Sequence, residues 1–406
     1  MTSNMIDQSS NPDNEYDLLC QVLPETLVNA AEVCSLPHSI SNELGYKILH
    51  DFAHLNGTAR AIWAEVRNLP FVYPYEEEGW RFYDAARSYF ICRLEKRNGT
   101  FTNLNQYLKS YYESELQHVK IKTAPRAREL EWRIIYHLAP ITPEAAIERL
   151  RIFGEHAAQS NRIADMKGVV DLFEEQECWL SSYKVERTYF EGRYAYAKNN
   201  YQVAEKKFRL VWEQGKADEM KAIAGHLLGR ILESRSAKQW LIEAESLYRE
   251  SLKILKDIGD RRGVAMVLNS LGGVLVKVGG QARLEEAESL YRESLKIGRE
   301  LGLVRHIAMV LNSLGGVLVK VGGQARLEEA ESLYRESLVI LKDIGDRRGV
   351  AMVSFRFSVI CEDVGDYQKA CEYLEKTIEI EKTLGNQRFL KRNIQRLEKL
   401  RNLCKK

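Results

Sequence analysis

Cysteine and proline are both scarce in this sequence of 406 residues, which has seven cysteines and eight prolines. The cysteines form no CxxC pair and no Cys/His pair at the spacing of metal ligands, which argues against a zinc-binding domain. An odd number of cysteines without a disulfide framework is typical of a reducing compartment. We therefore expect a cytoplasmic protein without structural disulfides or a metal site.

The sequence also lacks a large charge excess and long apolar runs. Its formal net charge is only +2, with 45% hydrophobic and 29% charged residues. This balance is ordinary for a folded protein and does not suggest a dedicated binder of nucleic acid or of anionic membranes. No run approaches the roughly 18 apolar residues of a membrane span, and the polar N-terminus has no signal-peptide core. We expect no membrane association.

Motifs of catalysis and phosphate binding are missing as well. No GxxxxGK[ST] loop occurs, and the glycine pairs that recur lack the Lys-Ser/Thr that would follow in a phosphate loop. His50 and His54 lie four residues apart on a predicted helix, but a metal site needs a third ligand, which the pattern does not offer. We predict a chain that is not an enzyme and that has no cofactor.

The sequence does contain a long internal repeat. Residues 265–295 and 308–338 are the same 31 letters, offset by 43, and AESLYRES begins at Ala244, Ala287 and Ala330. Self-similarity at a fixed period of tens of residues is typical of a stacked array. The sequence therefore predicts a helical solenoid.

Each repeat reads as two helices. Residues 264–278 place apolar side chains at helical spacing, and a second amphipathic pattern covers residues 284–301. Between them, Gly279-Gly280 ends the first helix, because glycine adopts the backbone conformations that break a helix. The repeating unit is thus a helical hairpin.

The hairpin resembles a tetratricopeptide (TPR) repeat. Leu271-Gly272, Ala287 and Tyr291 match its Leu-Gly, alanine and aromatic positions. The period of 43 exceeds the usual value of about 34, as in the TPRs of kinesin light chain and of bacterial signalling ATPases. Three of the extra residues are expected in the turn inside the hairpin. The resemblance implies an all-α, right-handed solenoid with five repeats over residues 185–385 and a capping helix at 386–406.

The N-terminal part predicts a different domain. We expect disorder over residues 1–15 and a small domain over 16–120, with Ser41 as a helix cap for Leu44 and strands only near residues 71–75 and 80–83. Three helices, a hairpin and a helix form the order of a winged helix. Residues 121–184 are expected to be a helical linker or degenerate TPR-like hairpins.

The hairpin segment resembles the winged-helix region of the STAND signalling ATPases. The matching positions are Leu69, Pro70, Phe71, Val72, Gly79, Arg81, Asp84 and Arg87. Tyr83 stands where that family has a nucleotide-sensing histidine, and the NTPase domain has no counterpart. The resemblance implies a winged helix and a TPR sensor array without the NTPase domain.

Counting from the Leu-Gly pair places particular residues in the concave groove of such an array. They are Tyr189, Arg193, His226, Arg230, Asn269, Lys277, Asn312, Lys320 and Phe355. An asparagine amide can pair with any extended peptide backbone, and the cations favour carboxylates. The alternative is that these residues are solvated polar groups copied by a duplication.

Three functions remain open. The first is a non-enzymatic TPR adaptor or sensor that binds a protein or peptide segment in the groove. The second is the regulatory part of a split STAND-type ATPase, with an NTPase as partner. The third, a TPR-controlled DNA-binding regulator, is disfavoured because residues 58–68 carry only Arg60 and Arg67 and the wing carries three consecutive glutamates.

Overall fold

A computed structural model describes residues 12–53, 58–75, 79–97, 99–121, 123–385 and 387–404. It is 81% helical, which confirms the expectation of a mainly helical chain. The chain divides into two compact units, with the boundary between Tyr183 and Lys184. The disorder expected for residues 1–15 falls mostly outside the described residues, and a helix already begins at Pro12.

Unit 1 contains ten helices and one small sheet in its described part. The helices are α1 (Pro12–Val22), α2 (Glu25–Ser35), α3 (Asn42–Phe52), α4 (Ala59–Arg67), α5 (Asp84–Glu95), α6 (Thr100–His118), α7 (Pro125–Leu138), α8 (Pro143–Gln159), α9 (Ile163–Glu175) and α10 (Glu177–Leu180). The strands are β1 (Ile40–Ser41), β2 (Val72–Tyr75) and β3 (Gly79–Phe82).

The sheet of unit 1 is antiparallel with the strand order β1-β3-β2. Val72 pairs with Phe82 in the hairpin, and Ile40 pairs with Trp80 on the other side of β3. The sequence predicted only the hairpin, because two residues are too few to show an alternating pattern. The Ser41 cap is confirmed, since its Oγ accepts a hydrogen bond from the Leu44 N–H at 3.2 Å. Helix, strand, two helices and hairpin follow one another as in a winged helix.

The core of unit 1 is built around Trp63. This side chain is fully buried, and a Cβ on Gly45 would lie 2.8 Å from its ring, so α3 and α4 pack at the closest distance glycine permits. Trp63 Nε1 also donates to Asn42 Oδ1 at 2.8 Å. Further along the chain, Leu130 and Ile134 of α7 belong to the same core. The helices predicted as a linker therefore fold within this unit, and their relation to the repeats stays a prediction.

Unit 2 consists of five consecutive helix pairs and a final helix. The pairs are α11 (Lys184–Ala197) with α12 (Tyr201–Gln214), α13 (Glu219–Glu233) with α14 (Lys238–Asp257), α15 (Arg261–Val278) with α16 (Gln281–Glu300), α17 (Val304–Val321) with α18 (Gln324–Asp343), and α19 (Arg347–Asp363) with α20 (Tyr367–Leu384). The last helix is α21 (Gln387–Leu403). We call the first member of each pair a first helix and the other a second helix.

The extra residues of the long repeats lie in a helix and not in the turn, contrary to the sequence-based expectation. Six residues of α16 precede Ala287, whereas three residues of α20 precede Ala370. The turn itself is only Gly279-Gly280, both at positive φ (+79° and +97°), a conformation that glycine adopts without strain. Because two glycines reverse the chain, the second helix begins almost one turn earlier.

Small residues allow the two helices of a repeat to approach closely. A Cβ on Gly272 would lie 2.7 Å from the ring of Tyr291, and Gly315 stands in the same relation to Tyr334. Ser294 Oγ donates to the Ala265 carbonyl at 2.8 Å, and Ser337 repeats this bond to Ala308. The identical repeats thus share one internal packing scheme.

One described helix, α17, is long and apolar enough to cross a membrane by length and composition. Its mean hydropathy is 1.3, and 44% of that window is buried inside the structure. The helix packs against α16 and α18 in the array. Apolar residues on a core-facing stripe account for its composition.

Candidate functional site: the groove of the repeat array

The first helices line the concave side of unit 2. Each first helix contacts the first helix of the next repeat, whereas second helices of successive repeats make fewer such contacts. Successive second helices are instead bridged by long side chains, such as Arg249 to Glu286 at 2.8 Å and Arg292 to Glu329 at 2.8 Å. Elements that lie closer together form the inner side of a curved array. We call the surface formed by the first helices the groove.

The groove contains a cavity of about 590 Å³ between α13, α15 and α17. Side chains that line it include His226, Arg230, Arg262, Met266, Asn269 and Met309. Its volume lies within the range of small-ligand and side-chain pockets. Three of the predicted groove residues, His226, Arg230 and Asn269, therefore meet in one place.

Tyr189 and His226 form the wall of the groove and offer little surface to a ligand. Tyr189 is fully buried and its hydroxyl accepts a hydrogen bond from Arg193 Nη1 at 2.6 Å. His226 is also buried and shares a hydrogen bond with Ser270 Oγ, 2.8 Å from Nε2. Burial, together with the charges of Arg230 and Arg193, lowers the pKa of His226 to about 3. The ring is therefore neutral at physiological pH.

The identical side chains Asn269/Lys277 and Asn312/Lys320 of the two identical repeats lie in different surroundings. Lys277 Nζ forms an ion pair with Glu233 at 2.9 Å, whereas the residue 43 positions after Glu233 is Val276, so Lys320 has no such partner. The flanking repeats differ in sequence. The neighbour of each repeat therefore decides what its groove residues contact.

The two asparagines also differ in exposure. Asn312 is 3% exposed, whereas Asn269 is half-buried and lines the cavity. The Oδ1 atoms of both are buried and accept no hydrogen bond from the described residues. A buried acceptor normally has a partner, so both atoms are unusual in this respect. Asn269 is the asparagine whose side chain is partly exposed in the cavity.

Repeat five ends the groove with an aromatic side chain. Arg396 of α21 lies over the ring of Phe355, 5.5 Å from its centroid, and forms an ion pair with Glu362. Arg356 stands where Ser313 stands one repeat earlier, and its positive charge lies near the Tyr334 side chain. The last helix therefore contributes to this end of the groove.

Sequence reasoning missed a row of methionines. Met266, Met309 and Met352 occur at intervals of 43 residues and are 41%, 46% and 44% exposed. The signal was in the sequence, because the same period that defines the repeats also spaces these residues. Methionine is flexible and polarisable and adapts to varied apolar side chains. The row gives the groove an apolar strip.

Positive charge accompanies this strip. Within the described residues, Arg230, Arg262 and Arg356 form no ion pair with a carboxylate, although Arg230 lies over the Tyr196 ring at 5.8 Å. The carboxylate of Glu233 in the same cavity is already paired with Lys277. Uncompensated guanidinium groups attract carboxylates and bind them with two hydrogen bonds.

The helix of unit 1 that would read DNA in a winged helix has both of its arginines engaged. In α4, Arg60 lies over the Tyr46 ring at 5.5 Å and Arg67 lies over the Trp80 ring at 5.1 Å. Arg67 also donates to Asn42 Oδ1 at 3.2 Å. These side chains stabilise the unit, and the glutamates expected at the wing lie outside the described residues.

A second cavity, of about 400 Å³, lies within unit 1 and is lined by a buried polar cluster. Arg87 Nη2 donates to His38 Nδ1 at 3.3 Å and to Tyr136 Oη at 2.9 Å. His38 Nε2 must then carry the proton that it donates to Glu175 at 3.2 Å. Burial, and then the charges of Arg87, Arg133 and Arg81, hold the pKa of His38 well below its ordinary value. The cluster joins α5, α7 and α9.

Tyr83, which occupies the position of the STAND histidine, caps α5 and is 53% exposed. Its ring packs on Tyr73, with centroids 4.8 Å apart. No group of His, Cys, Asp and Glu side chains suited to a metal ion occurs among the described residues.

Comparison with known proteins gave no matching family model and no matching curated protein. Solved structures do match. One is a signal transduction ATPase with numerous domains (STAND) that has a tetratricopeptide repeat sensor, from Pyrococcus horikoshii, with 14% identity and a TM-score of 0.57. The fold is that of a TPR array. A Rap protein complexed with competence and sporulation factor also matches, with 17% identity and a TM-score of 0.50.

The extent of the two matches differs. The STAND match covers 95% of this chain but only 55% of the ATPase, so the chain spans about half the length of that protein. The Rap match covers 72% of this chain and 80% of the Rap protein. At these identities the likeness concerns the fold alone.

Proposed function

We propose that this chain is a non-enzymatic adaptor or sensor of the cytoplasm whose TPR array holds an acidic segment of a partner protein in the groove. The observation that carries the proposal is the combination of exposed methionines with arginines that have no carboxylate partner. An apolar strip beside uncompensated cations fits a segment that carries both apolar and acidic side chains. The Rap protein of similar fold, solved in complex with competence and sporulation factor, supports a ligand-binding role.

Each group in the cavity has a separate role in this proposal. The half-buried side-chain amide of Asn269 forms a hydrogen bond with the backbone of the segment, worth roughly 0.5–1.5 kcal/mol. Arg230 and Arg262 bind carboxylates, each worth roughly 1.5–3 kcal/mol. Met266 and Met309 cover the apolar side chains between them. Lys277 contributes less, because Glu233 already compensates its charge.

A random peptide library displayed on phage tests this proposal. Selection on the whole chain should enrich peptides with several Asp or Glu residues and at least one large apolar residue. Binding of a selected peptide should weaken at least 100-fold in the triple variant Arg230→Gln, Arg262→Gln and Arg356→Gln. Enrichment of basic peptides, or none at all, would count against the proposal.

A charge-matched control is available on the second helices. Lys253, Lys296 and Lys342 are exposed, and replacing all three with glutamine removes the same charge outside the groove. This control variant should bind the selected peptide within about twofold of the unmodified chain. An equal loss in both triple variants would show that only net charge matters.

A second candidate function is the regulatory part of a split STAND-type ATPase. The observation in its favour is the STAND match, which extends over 95% of this chain. In that case an NTPase encoded elsewhere is the partner. Its test is purification of the chain from its native source at low salt, followed by an assay of ATP hydrolysis in the eluate. Hydrolysis that copurifies with the chain would favour this candidate over the adaptor.

A further inference from the structure

The last helix of unit 2 carries a thiol next to a thiol of the repeat on which it packs. Cys404 follows the end of α21, and its Sγ lies 4.0 Å from Sγ of Cys371 in α20. Cys404 is exposed, whereas Cys371 is 8% exposed. We propose that Cys371 and Cys404 form a redox-controlled disulfide that locks α21 onto the array.

The positions of the two residues suit this reaction. A disulfide needs the sulfurs about 2.05 Å apart, so they must approach by roughly 2 Å. Cys404 lies just beyond the last helical residue, Leu403, where a change of side-chain rotamer and a small backbone shift suffice. Cys371 lies in α20, a helix of repeat five, and provides the fixed partner.

The reaction balances with hydrogen peroxide as oxidant. The exposed Cys404 thiolate attacks one peroxide oxygen, which gives a sulfenic acid and releases hydroxide, converted to water by a proton. The Cys371 sulfur then attacks the Cys404 sulfur, the S–S bond forms, and the sulfenic hydroxyl leaves with the Cys371 thiol proton as a second water. The two sulfurs together lose two electrons, and one peroxide becomes two waters. Burial raises the pKa of Cys371 to about 11, so Cys404 reacts with peroxide first.

The lock would act on the end of the array. α21 covers α20 through Leu397 and Leu400, which are 8% and 1% exposed. Its other contacts among the described residues include the ion pairs Arg396 to Glu362 and Arg401 to Glu375, and the second pair is exposed and contributes little. Because no further repeat packs on the outer side of α21 among the described residues, this helix opens more readily than the helices inside the array. A covalent bond at its far end would suppress that opening.

The experiment compares the whole chain after dithiothreitol and after a two-fold molar excess of hydrogen peroxide. Non-reducing digestion and mass spectrometry should show a peptide pair joined through Cys371 and Cys404, 2 Da lighter than the two thiol peptides together. Hydrogen exchange in α21 should slow, and the melting temperature of unit 2 should rise by roughly 5–10 °C.

The variants Cys404→Ser and Cys371→Ser are the first controls, because each should lack both the joined peptide and the shift. The double variant Cys92→Ser and Cys178→Ser, which removes two other exposed cysteines, should retain both effects. Oxidation of Cys404 only to sulfinic acid, without a joined peptide, would overturn the proposal. So would a joined peptide without slower exchange in α21.

Discussion

Two adjacent glycines, Gly272 and Gly273, offer a stability test with an internal control. Both lie in the middle of α15, where glycine costs about 1 kcal/mol relative to alanine. A Cβ on Gly272 would lie 2.7 and 2.8 Å from two ring atoms of Tyr291, which is 3% exposed and cannot move away freely. A Cβ on Gly273 would lie 3.6 Å from Glu233 and 3.8 Å from the Tyr291 hydroxyl, at ordinary contact distances.

The two substitutions should therefore have opposite signs. Overpacking costs about 1–3 kcal/mol, from which the gain in helix propensity of about 1 kcal/mol is subtracted. We expect Gly272→Ala to lower the free energy of unfolding of unit 2 by up to about 2 kcal/mol. Gly273→Ala should leave it unchanged or raise it by up to about 1 kcal/mol.

Urea denaturation followed by circular dichroism measures both variants beside the unmodified chain. Gly315→Ala provides a repetition in the identical repeat, because its Cβ would lie 2.9 Å from Tyr334. A Gly272→Ala protein as stable as Gly273→Ala would refute the packing of the two helices described above.

Three further stability predictions concern pH and helix caps. The folded chain keeps His226 neutral, with a pKa of about 3, whereas in the unfolded chain this side chain binds a proton below about pH 6.5. The contribution of His226 to the free energy of unfolding is therefore full above pH 7 and declines as the pH falls. The free energy of unfolding should be lower by about 1.4 kcal/mol at pH 5.5 because of this residue. In urea titrations, His226→Gln should remove that loss, whereas His156→Gln, a control at an exposed position, should not. The Asp260 side chain caps α15, so Asp260→Ala should cost about 1 kcal/mol in the same assay. Leu303, which precedes α17, has nearly the same backbone angles as Asp260, but its side chain makes no capping hydrogen bond. Leu303→Asp should therefore raise the free energy of unfolding by up to about 1 kcal/mol. A decrease would show that the burial of Leu303 matters more than a cap.

Most of the array could be predicted from its sequence because each repeat is a local structure. The 43-residue period, the Leu-Gly pair and the glycine turns all lie within one hairpin, so the same letters give the same packing of Tyr291 on Gly272 and of Tyr334 on Gly315. The placement of the extra residues was wrong, because a two-glycine turn allows the helix to extend where a longer loop was expected.

The groove could be predicted less well because its contacts join different repeats. Identical asparagines differ in exposure, and Lys277 forms an ion pair with Glu233, whereas Lys320 forms none with the carboxylates that the structure describes. The pattern of one repeat holds no information about the side chain that its neighbour presents. The two-residue strand β1 was missed for a related reason, since only its pairing with β3 defines it.

The central claim is that the groove holds a segment of a partner protein, and photocrosslinking at two matched positions of one repeat tests it most directly. Met309 of α17 and Val339 of α18 are both apolar and 46% and 59% exposed, but only Met309 lies in the groove. Benzoylphenylalanine at Met309 should crosslink the chain in native lysate to a partner peptide rich in Asp and Glu, and at Val339 it should not. Crosslinking of the same peptide from Val339, or from neither position, would contradict the account.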